Sequence, residues 1–595
     1  MDPPSKQARR ASSAAAGPPS KWPRGLGSDG EAPGPAAGAG LAVAPGDADF
    51  WPAIAPAALR AFEGWLGPVL PPRLRERTRI VRAAGGLPGA RAAAAGAEGR
   101  RFVLYWARGV ALRGHENPAL DVAKLAAAAL GLPLVAHFGL PEKSSTARRH
   151  RFLLEGWAEL ARDLEAQGVV CTCHVARPGS RGPLHLTLAH RAALVVSDEP
   201  WTNPYLRHAR QVAGAKGDGV APLVLVDTQC VVPAGLVPPR KDLRAFLFEA
   251  ATKDLRKQRI DALYEEVAWA APAPAAAAAV RAALPFAPDD VSSDARIRAL
   301  IQAATVDHRV AALPHTRGGA SHAARRWEAW LRAGGLKTYA ARRNNPLDKG
   351  GSSRMSAYLN AGMASPFAVA RTCKGASGSA KFKLEFQTWR ELSYAFCFRR
   401  PATHNTLAAL PQWAQNSLKA HAGDDRELLL TLEEIEACKT NEPLWNAMQQ
   451  ALAKTGELHN NCRMTWGKAI HCWSSSPEEA LARLEFLNNK YALDGFAPPS
   501  YGGILWCFGG FDSPAKAGEN PVIGKVKARP VSSHQRRLSP KALLQKNGCH
   551  AVERPNVLAL LRRGTAAEAE EDGVVPSPVP SLLLGQPAAG GGALE

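Results

Sequence analysis

Glu385 and Trp389 lie four residues apart in the run KFKLEFQTWRELSYAFCFRR at 381–400. On a helix that spacing puts a carboxylate and an indole on one face. Such a pair could line a cleft for a planar, hydrogen-bonding ligand such as a nucleic-acid base. The plain alternative is a half-buried amphipathic helix. A second group is Gly350, Gly351, Ser352 and Ser353, ahead of a helix that begins near Arg354 or Met355. Glycines, hydroxyls and free N–H groups at a helix start suit an anion such as phosphate, and Arg354 adds a cation. An ordinary capped helix reads the same way. The third group is the densest. The stretch Asn441–Tyr501 holds Trp445, Trp466 and Trp473 together with Arg463 and Asp494. Trp466 and Trp473 are seven residues apart, two helical turns, so both project from one face, with Arg463 on a neighbouring one. The indoles could be core, the usual fate of tryptophan. An Arg463–Asp494 pair in an apolar site is costly unless something polar is bound there.

The elements that must position these groups divide the chain. Short apolar runs at 101–109, 134–140, 168–175, 192–199 and 222–228 alternate with helix-like stretches at 117–130, 147–167 and 205–215. Continuous apolar strands alternating with helices predict a parallel, Rossmann-like α/β sheet. No G-x-G-x-x-G follows the first strand, so a dinucleotide fingerprint is absent. Prolines at 232–240 break the pattern, and the Ala- and Pro-rich 269–288 reads as a linker. From about Asp294 the periodicity is helical to about Lys490. The expected organisation is a disordered extension over 1–49, an α/β domain over 50–240, a linker over 241–293, an all-α domain over 294–540 and a mostly disordered tail over 541–595 with an acidic patch at Glu568–Asp572.

Composition narrows the partners. The formal charge is +21 with a pI near 9.8, which points to a polyanion, nucleic acid first. The alternative is charge dispersed by an Arg- and Ala-rich composition. No apolar run reaches the roughly 20 residues of a membrane span, so a soluble protein is expected. Ten cysteines without paired spacing read as free thiols of a reduced, intracellular protein; Cys171-Thr-Cys173-His174 lacks a second half for a zinc site, and no metal centre is expected. The N-terminal basic patches could serve an organelle transit or a nuclear signal, although Asp2, Asp29 and Glu31 argue against a clean transit peptide.

Taken together, these stretches resemble the photolyase/cryptochrome flavoproteins, and most closely the class II cyclobutane pyrimidine dimer photolyases. The resemblance spans about 100–540. It rests on LRGHENPAL (112–120), RRHRFLLEGWAEL (148–160), LVVSDEPW (194–201), YAARRNNP (339–346), SSRMSAYL (352–359), WRELSYAFCF (389–398), KTNEPLWNAMQ (439–449), RMTWGKAIHCW (463–473), LNNKYALDG (487–495) and PVIGKV (521–526). It implies an α/β antenna domain, with room for an antenna chromophore, followed by an all-helical FAD-binding domain. It implies light-driven repair of DNA containing pyrimidine dimers, by an electron from excited reduced FAD to a dimer flipped out of the duplex, in a monomer of the nucleus or an organelle.

Residue by residue, Tyr339, Ser352, Ser353, Arg354, Met355 and Ser356 match the FAD-binding tyrosine and phosphate turn. Glu385 matches the active-site glutamate and Trp389 the indole packed on the lesion. Arg463 and Asp494 match the ion pair beside the isoalloxazine, where fixed charge stabilises the reduced flavin. Trp445, Trp466 and Trp473 match the tryptophan chain that carries electrons from the surface to FAD, with Met464 beside it. Class II enzymes usually read Leu-Asp-Gly-Arg-Asp-Pro-Asn where this chain has Leu493 to Pro499. Ala497 thus replaces an aspartate, and Pro499 replaces the asparagine expected to face flavin N5, leaving no side-chain donor or acceptor. A substrate tryptophan expected near 515–518 is absent, and Asn360 stands for a histidine. Three readings follow: a DNA-repair lyase, a cryptochrome-like photoreceptor that photoreduces FAD without repair, and a flavoprotein that keeps only the fold.

Overall fold

The computed structural model describes residues 50–550 apart from 55, 84–101, 142–144, 181, 217–219, 239–243, 262–266, 270–272 and 517. The extension over 1–49 and the acidic patch of the tail lie outside the described residues. Strands β1 (Thr78–Arg82), β2 (Phe102–Ala107), β3 (Leu134–Leu140), β4 (Val170–Val175), β5 (Ala192–Asp198) and β6 (Leu223–Val226) form one sheet in the order β1-β6-β5-β2-β3-β4. Strands β2 to β6 run parallel, as their continuous apolar sequences require, because helices cover both faces. Strand β1 is an antiparallel edge on β6 that the sequence reading missed. Its TRIVR reads as polar, yet Arg79 is buried. A bidentate pair with Glu199 (2.6 and 2.7 Å) and the face of Trp51 at 4.7 Å satisfy its charge.

The helical half starts at Asp294–Ala303 and continues past Lys490 through Pro498–Trp506 to Pro540–Asn547. The boundary expected at 540 therefore falls at the start of a helix, whose Leu543 and Leu544 are buried. The stretch read as a linker, 241–293, contains the helices Ala245–Ile260 and Pro274–Ala282. The second is Ala-rich with Pro274 at its first turn, where proline starts helices rather than breaking them. Among the described residues no helix is long and apolar enough to cross a membrane.

One hydrophobic core runs from a face of the sheet through Phe152, Trp157 and Tyr358 into Trp327, Trp330 and Phe386 of the helical half. A second, inside the helical half, is built around Trp445, Trp466 and Trp473. The helix Ala147–Glu165 joins the halves, and Gly362 (φ +64°) lies so close that a Cβ would stand 2.1 Å from the Val110 carbonyl.

Candidate functional site

The helix Pro443–Thr455 starts with Pro443 in its first turn, which also holds Trp445, and ends at Gly456 in the left-handed region. The next helix, Asn460–Ala469, does not run on regularly. It tightens into a 3₁₀ turn over Ile470–Trp473 before the chain turns extended at Ser474. The uninterrupted two-turn spacing of Trp466 and Trp473 is therefore broken, and Trp445 from the neighbouring helix lies between them. Its ring stacks on Trp466 (centroids 6.0 Å, 11°) and meets Trp473 edge to face (5.0 Å, 84°). The spatial order is Trp466, Trp445, Trp473. Each indole N–H is held: Trp466 to Gln449 Oε1 (3.0 Å), Trp445 to the Trp466 carbonyl (2.8 Å) and Trp473 to Asn441 Oδ1 (3.1 Å). Gln449 is one turn beyond Trp445, a spacing visible in the sequence. Trp473 is only 3% exposed; this end of the row stops behind the half-buried Asn441.

Arg463, on the same helix as Trp466, donates from Nη2 to Asp494 Oδ1 at 2.9 Å, with side chains 14% and 17% exposed. The expected pair thus forms, and Arg463 Nε is left buried with no hydrogen-bond partner. Asp494 sits in the turn after the helix Pro477–Tyr491. Its carbonyl accepts from Asn360 Nδ2 and Ser500 Oγ, both at 2.9 Å. The Phe496 amide donates to Asn489 Oδ1 at 2.9 Å while Phe496 itself takes φ +60°. Arg149 of the α/β half lies over the Phe496 ring (4.9 Å) and donates to the Gly495 carbonyl (3.3 Å). Pro498 and Pro499 then open the helix Pro498–Trp506. Asn360 was visible in the sequence only as a departure from a histidine; Arg149, which reaches the turn from the other half, and Ser500 and Asn489, which brace it locally, were not singled out.

Glu385 and Trp389 occupy a π-helical turn, Leu384–Trp389, set between the helices Ala380–Lys383 and Arg390–Arg399. Such turns are rare and concentrate at functional sites. Glu385, 25% exposed, is bracketed by two cations, Lys381 Nζ at 2.7 Å and Arg343 Nη2 at 3.1 Å. Arg343 also lies over the Tyr339 ring at 5.6 Å, and burial pushes the Tyr339 hydroxyl pKa up. Trp389 is half-buried against the second core.

The loop Ser352–Met355 leads into the short helix Ser356–Asn360. Met355 is buried, Ser352 and Ser353 are half-buried, and Ser356 and Arg354 are exposed. Arg354 adopts φ +55° and pairs with Glu457 Oε2 at 2.6 Å, which Arg326 also contacts at 3.2 Å. None of the described residues hydrogen-bonds the hydroxyls of Ser352, Ser353 or Ser356. Open hydroxyls here, and unpartnered buried N–H groups on Arg463 and on Arg343 Nε, fit a polar, phosphate-bearing cofactor such as FAD. Left unmade, each such buried donor costs about 1–3 kcal/mol.

A DNA photolyase family model matches residues 103–275. The deoxyribodipyrimidine photo-lyase of Methanothermobacter thermautotrophicus is 30% identical over 438 residues, covering 72% of this chain and 90% of that protein. That of Arabidopsis thaliana is 39% identical over 197 residues, 32% of this chain and 39% of its own length. The fold is like that of a bacterial class III photolyase from Agrobacterium tumefaciens (TM-score 0.51, 19% identity, 79% of this chain and 97% of that one). It is like that of the Synechocystis sp. PCC6803 cryptochrome to the same degree (TM-score 0.52, 15% identity, 78% and 99%). An α/β sheet joined to a helical half, 30% identity over 90% of the Methanothermobacter enzyme, and a fold shared with a photolyase and a cryptochrome lead to one assignment: the chain belongs to the photolyase/cryptochrome family.

Proposed function

We propose that this protein repairs cyclobutane pyrimidine dimers in DNA in a light-driven reaction, as a class II-like deoxyribodipyrimidine photo-lyase. The observation that carries this reading is the π-helical turn. It carries both Glu385 and Trp389, each half-buried, and these are the two residues that by resemblance match the family's lesion contacts. FAD, when bound and reduced, would supply an electron to the dimer on excitation and take it back after the ring splits. Ser352, Ser353, Arg354, Met355, Ser356 and Tyr339 would hold its polar groups. Arg463 and Asp494 would fix charge beside its ring system. Trp389 would pack on the flipped bases, and Glu385, oriented by Lys381 and Arg343, would hydrogen-bond them. The net charge of +21 suits a surface that tracks phosphates. A second chromophore, if present, would lie in the α/β half, at the carboxyl ends of β2 and β5 where the strand order reverses.

The test is blue-light incubation of the FAD-loaded, photoreduced protein with an oligonucleotide carrying one thymine dimer. Repair is expected, slowed by an order of magnitude or more in Glu385→Gln with flavin content unchanged. No lesion reversal at any protein excess removes the lyase reading.

One observation favours a second reading, a photoreceptor that photoreduces FAD without repair. The turn after Asp494 ends in Ala497 and Pro499, and Pro499 stands in the first turn of a helix with no side-chain donor. Photoreduction of bound FAD without dimer reversal would favour this reading. A gain of repair in Pro499→Asn would tie the loss to that position.

A further inference from the structure

The tryptophan row is unusual in what its N–H groups face. Gln449, a backbone carbonyl and Asn441 accept the three hydrogen bonds, and none of these acceptors has a site basic enough to take a proton near neutral pH. The point matters most at Trp473, the outer ring. Its carbonyl accepts from Arg483 at 2.8 Å, and Arg483 pairs with Glu479 at 2.6 Å. Arg426 donates to the Ser474 carbonyl at 2.8 Å. His471, in the same 3₁₀ turn, is buried against Phe508 with centroids 4.2 Å apart, and burial lowers its pKa to about 3, so it is neutral. Glu442, half-buried and next to Asn441 in the chain, does not take the Trp473 N–H, which goes to Asn441.

Resting on the reading of these rings as an electron path, we propose that Asn441 keeps the proton on Trp473 after that ring has lost its electron. The hole then persists as a radical cation, and charge separation reverses unless an outside reductant fills it. The electron count is simple. Trp466 would give one electron to bound, photoexcited oxidised FAD, the oxidant, which would be reduced by one electron. Trp445 refills Trp466, and Trp473 refills Trp445. Trp473 ends one electron short, and no bond has broken. An indole missing an electron is a much stronger acid at Nε1 than the closed-shell ring. Losing that proton would trap the hole, because re-reduction would then need the proton back. An amide oxygen holds the hydrogen bond without taking the proton. The guanidinium of Arg426, on the Ser474 carbonyl, adds positive charge beside the turn and favours return of the electron, whereas that of Arg483 is offset by Glu479. Asn441 is thus a positioning residue that sets the lifetime of the separated charge.

Transient absorption of the FAD-loaded protein tests this with Asn441→Asp and Asn441→Leu. Aspartate just before the helix Pro443–Thr455 suits the helix dipole and keeps an acceptor at the ring, so the variant should fold. The wild type is expected to show the tryptophan radical cation, decaying alike in H₂O and D₂O, whereas Asn441→Leu, which removes the amide acceptor from a half-buried N–H, should shorten the cation's lifetime several-fold; a Leu variant identical to wild type would show that Asn441 does not hold the proton. In Asn441→Asp the neutral-radical band should grow in, with a solvent isotope effect and a decay slowed several-fold. A neutral radical already present in the wild type, or a cation that persists unchanged in Asn441→Asp, overturns the proposal. A signal with no tryptophan radical, unaltered by Trp466→Phe, overturns the electron path and the proposal with it.

Discussion

Asp494 is positioned through its backbone as much as through its charge. Its carboxylate takes one bond from Arg463, while its carbonyl takes two, from Asn360 and Ser500. Asn360, a departure from the family's histidine, is therefore a working part of the turn rather than a gap in it. Replacing Asn360 with alanine removes one of the two donors to that carbonyl, worth about 1 kcal/mol. Flavin retention should then weaken about fivefold, read by equilibrium dialysis, with Asn360→Gln restoring part of the loss. Retention equal to wild type would show that Ser500 alone holds the turn. The i, i+4 rule made Glu385 and Trp389 visible in the sequence, and it is indifferent to whether the turn is α or π. Arg343 was within view in YAARRNNP but not its role, because pairing with Glu385 depends on how two helices pack. The N–H partners of the indoles divide the same way. Gln449 is local and legible, whereas Asn441 faces Trp473 only because the helix carrying Trp473 tightens before its end.

The sheet illustrates what element-scale reasoning reaches. Five apolar runs became five parallel strands, since a strand buried on both faces needs little else to declare itself. The edge strand β1 stayed hidden because its burial depends on Glu199, a distant partner for Arg79. A second feature of this element lies on the sheet face that carries Trp106. His137 on β3 bonds Thr172 (2.9 Å), and His185 stacks flat on Trp106 (4.5 Å, 5°), with His208 beyond it at 6.0 Å. Burial lowers their pKa values to about 3, 3 and 4, helped at His137 by His185 and His174, at His185 by His208 and Arg108, and at His208 by Arg207 and Arg108. These rings are neutral when folded and charge freely when unfolded. The unfolded chain therefore binds more protons between pH 6.5 and about 4, so stability falls as pH drops through that window. Each histidine should cost on the order of 1–2 kcal/mol by pH 5. His185→Phe keeps the ring stack without the proton site. The melting temperature of this variant should drop less than that of wild type between pH 7.5 and 5. Parallel drops would show that the acid response comes from elsewhere.

At the scale of the whole molecule, the α/β half and the helical half behave as one body because arginines of the first satisfy backbone of the second. Arg113 donates to the Gly362 carbonyl at 3.0 Å. Arg148 does more. Buried in the helix Ala147–Glu165, it donates to the carbonyls of Ala311 (3.1 Å), Tyr491 (2.9 Å) and Ala453 (2.6 Å). Tyr491 ends the helix Pro477–Tyr491, and Ala453 lies in the last turn of Pro443–Thr455. A guanidinium there fills carbonyls that helix ends leave open and meets the negative end of both dipoles. Burial lowers its pKa to about 10, which leaves it charged near neutrality. Those two helices carry Trp445 and lead into Asp494, so the same side chain that joins the halves braces the site. Arg148→Met keeps the bulk but strands three acceptors, at a cost of about 3–5 kcal/mol. Arg148→Lys, with one nitrogen in place of a fork, should recover only part of it. In scanning calorimetry the wild type is expected to melt in one transition. The methionine variant should melt several degrees lower, with the helical half separating as its own earlier step and flavin released in that step. A single transition at the wild-type temperature would mean that the shared hydrophobic core, and not Arg148, couples the halves.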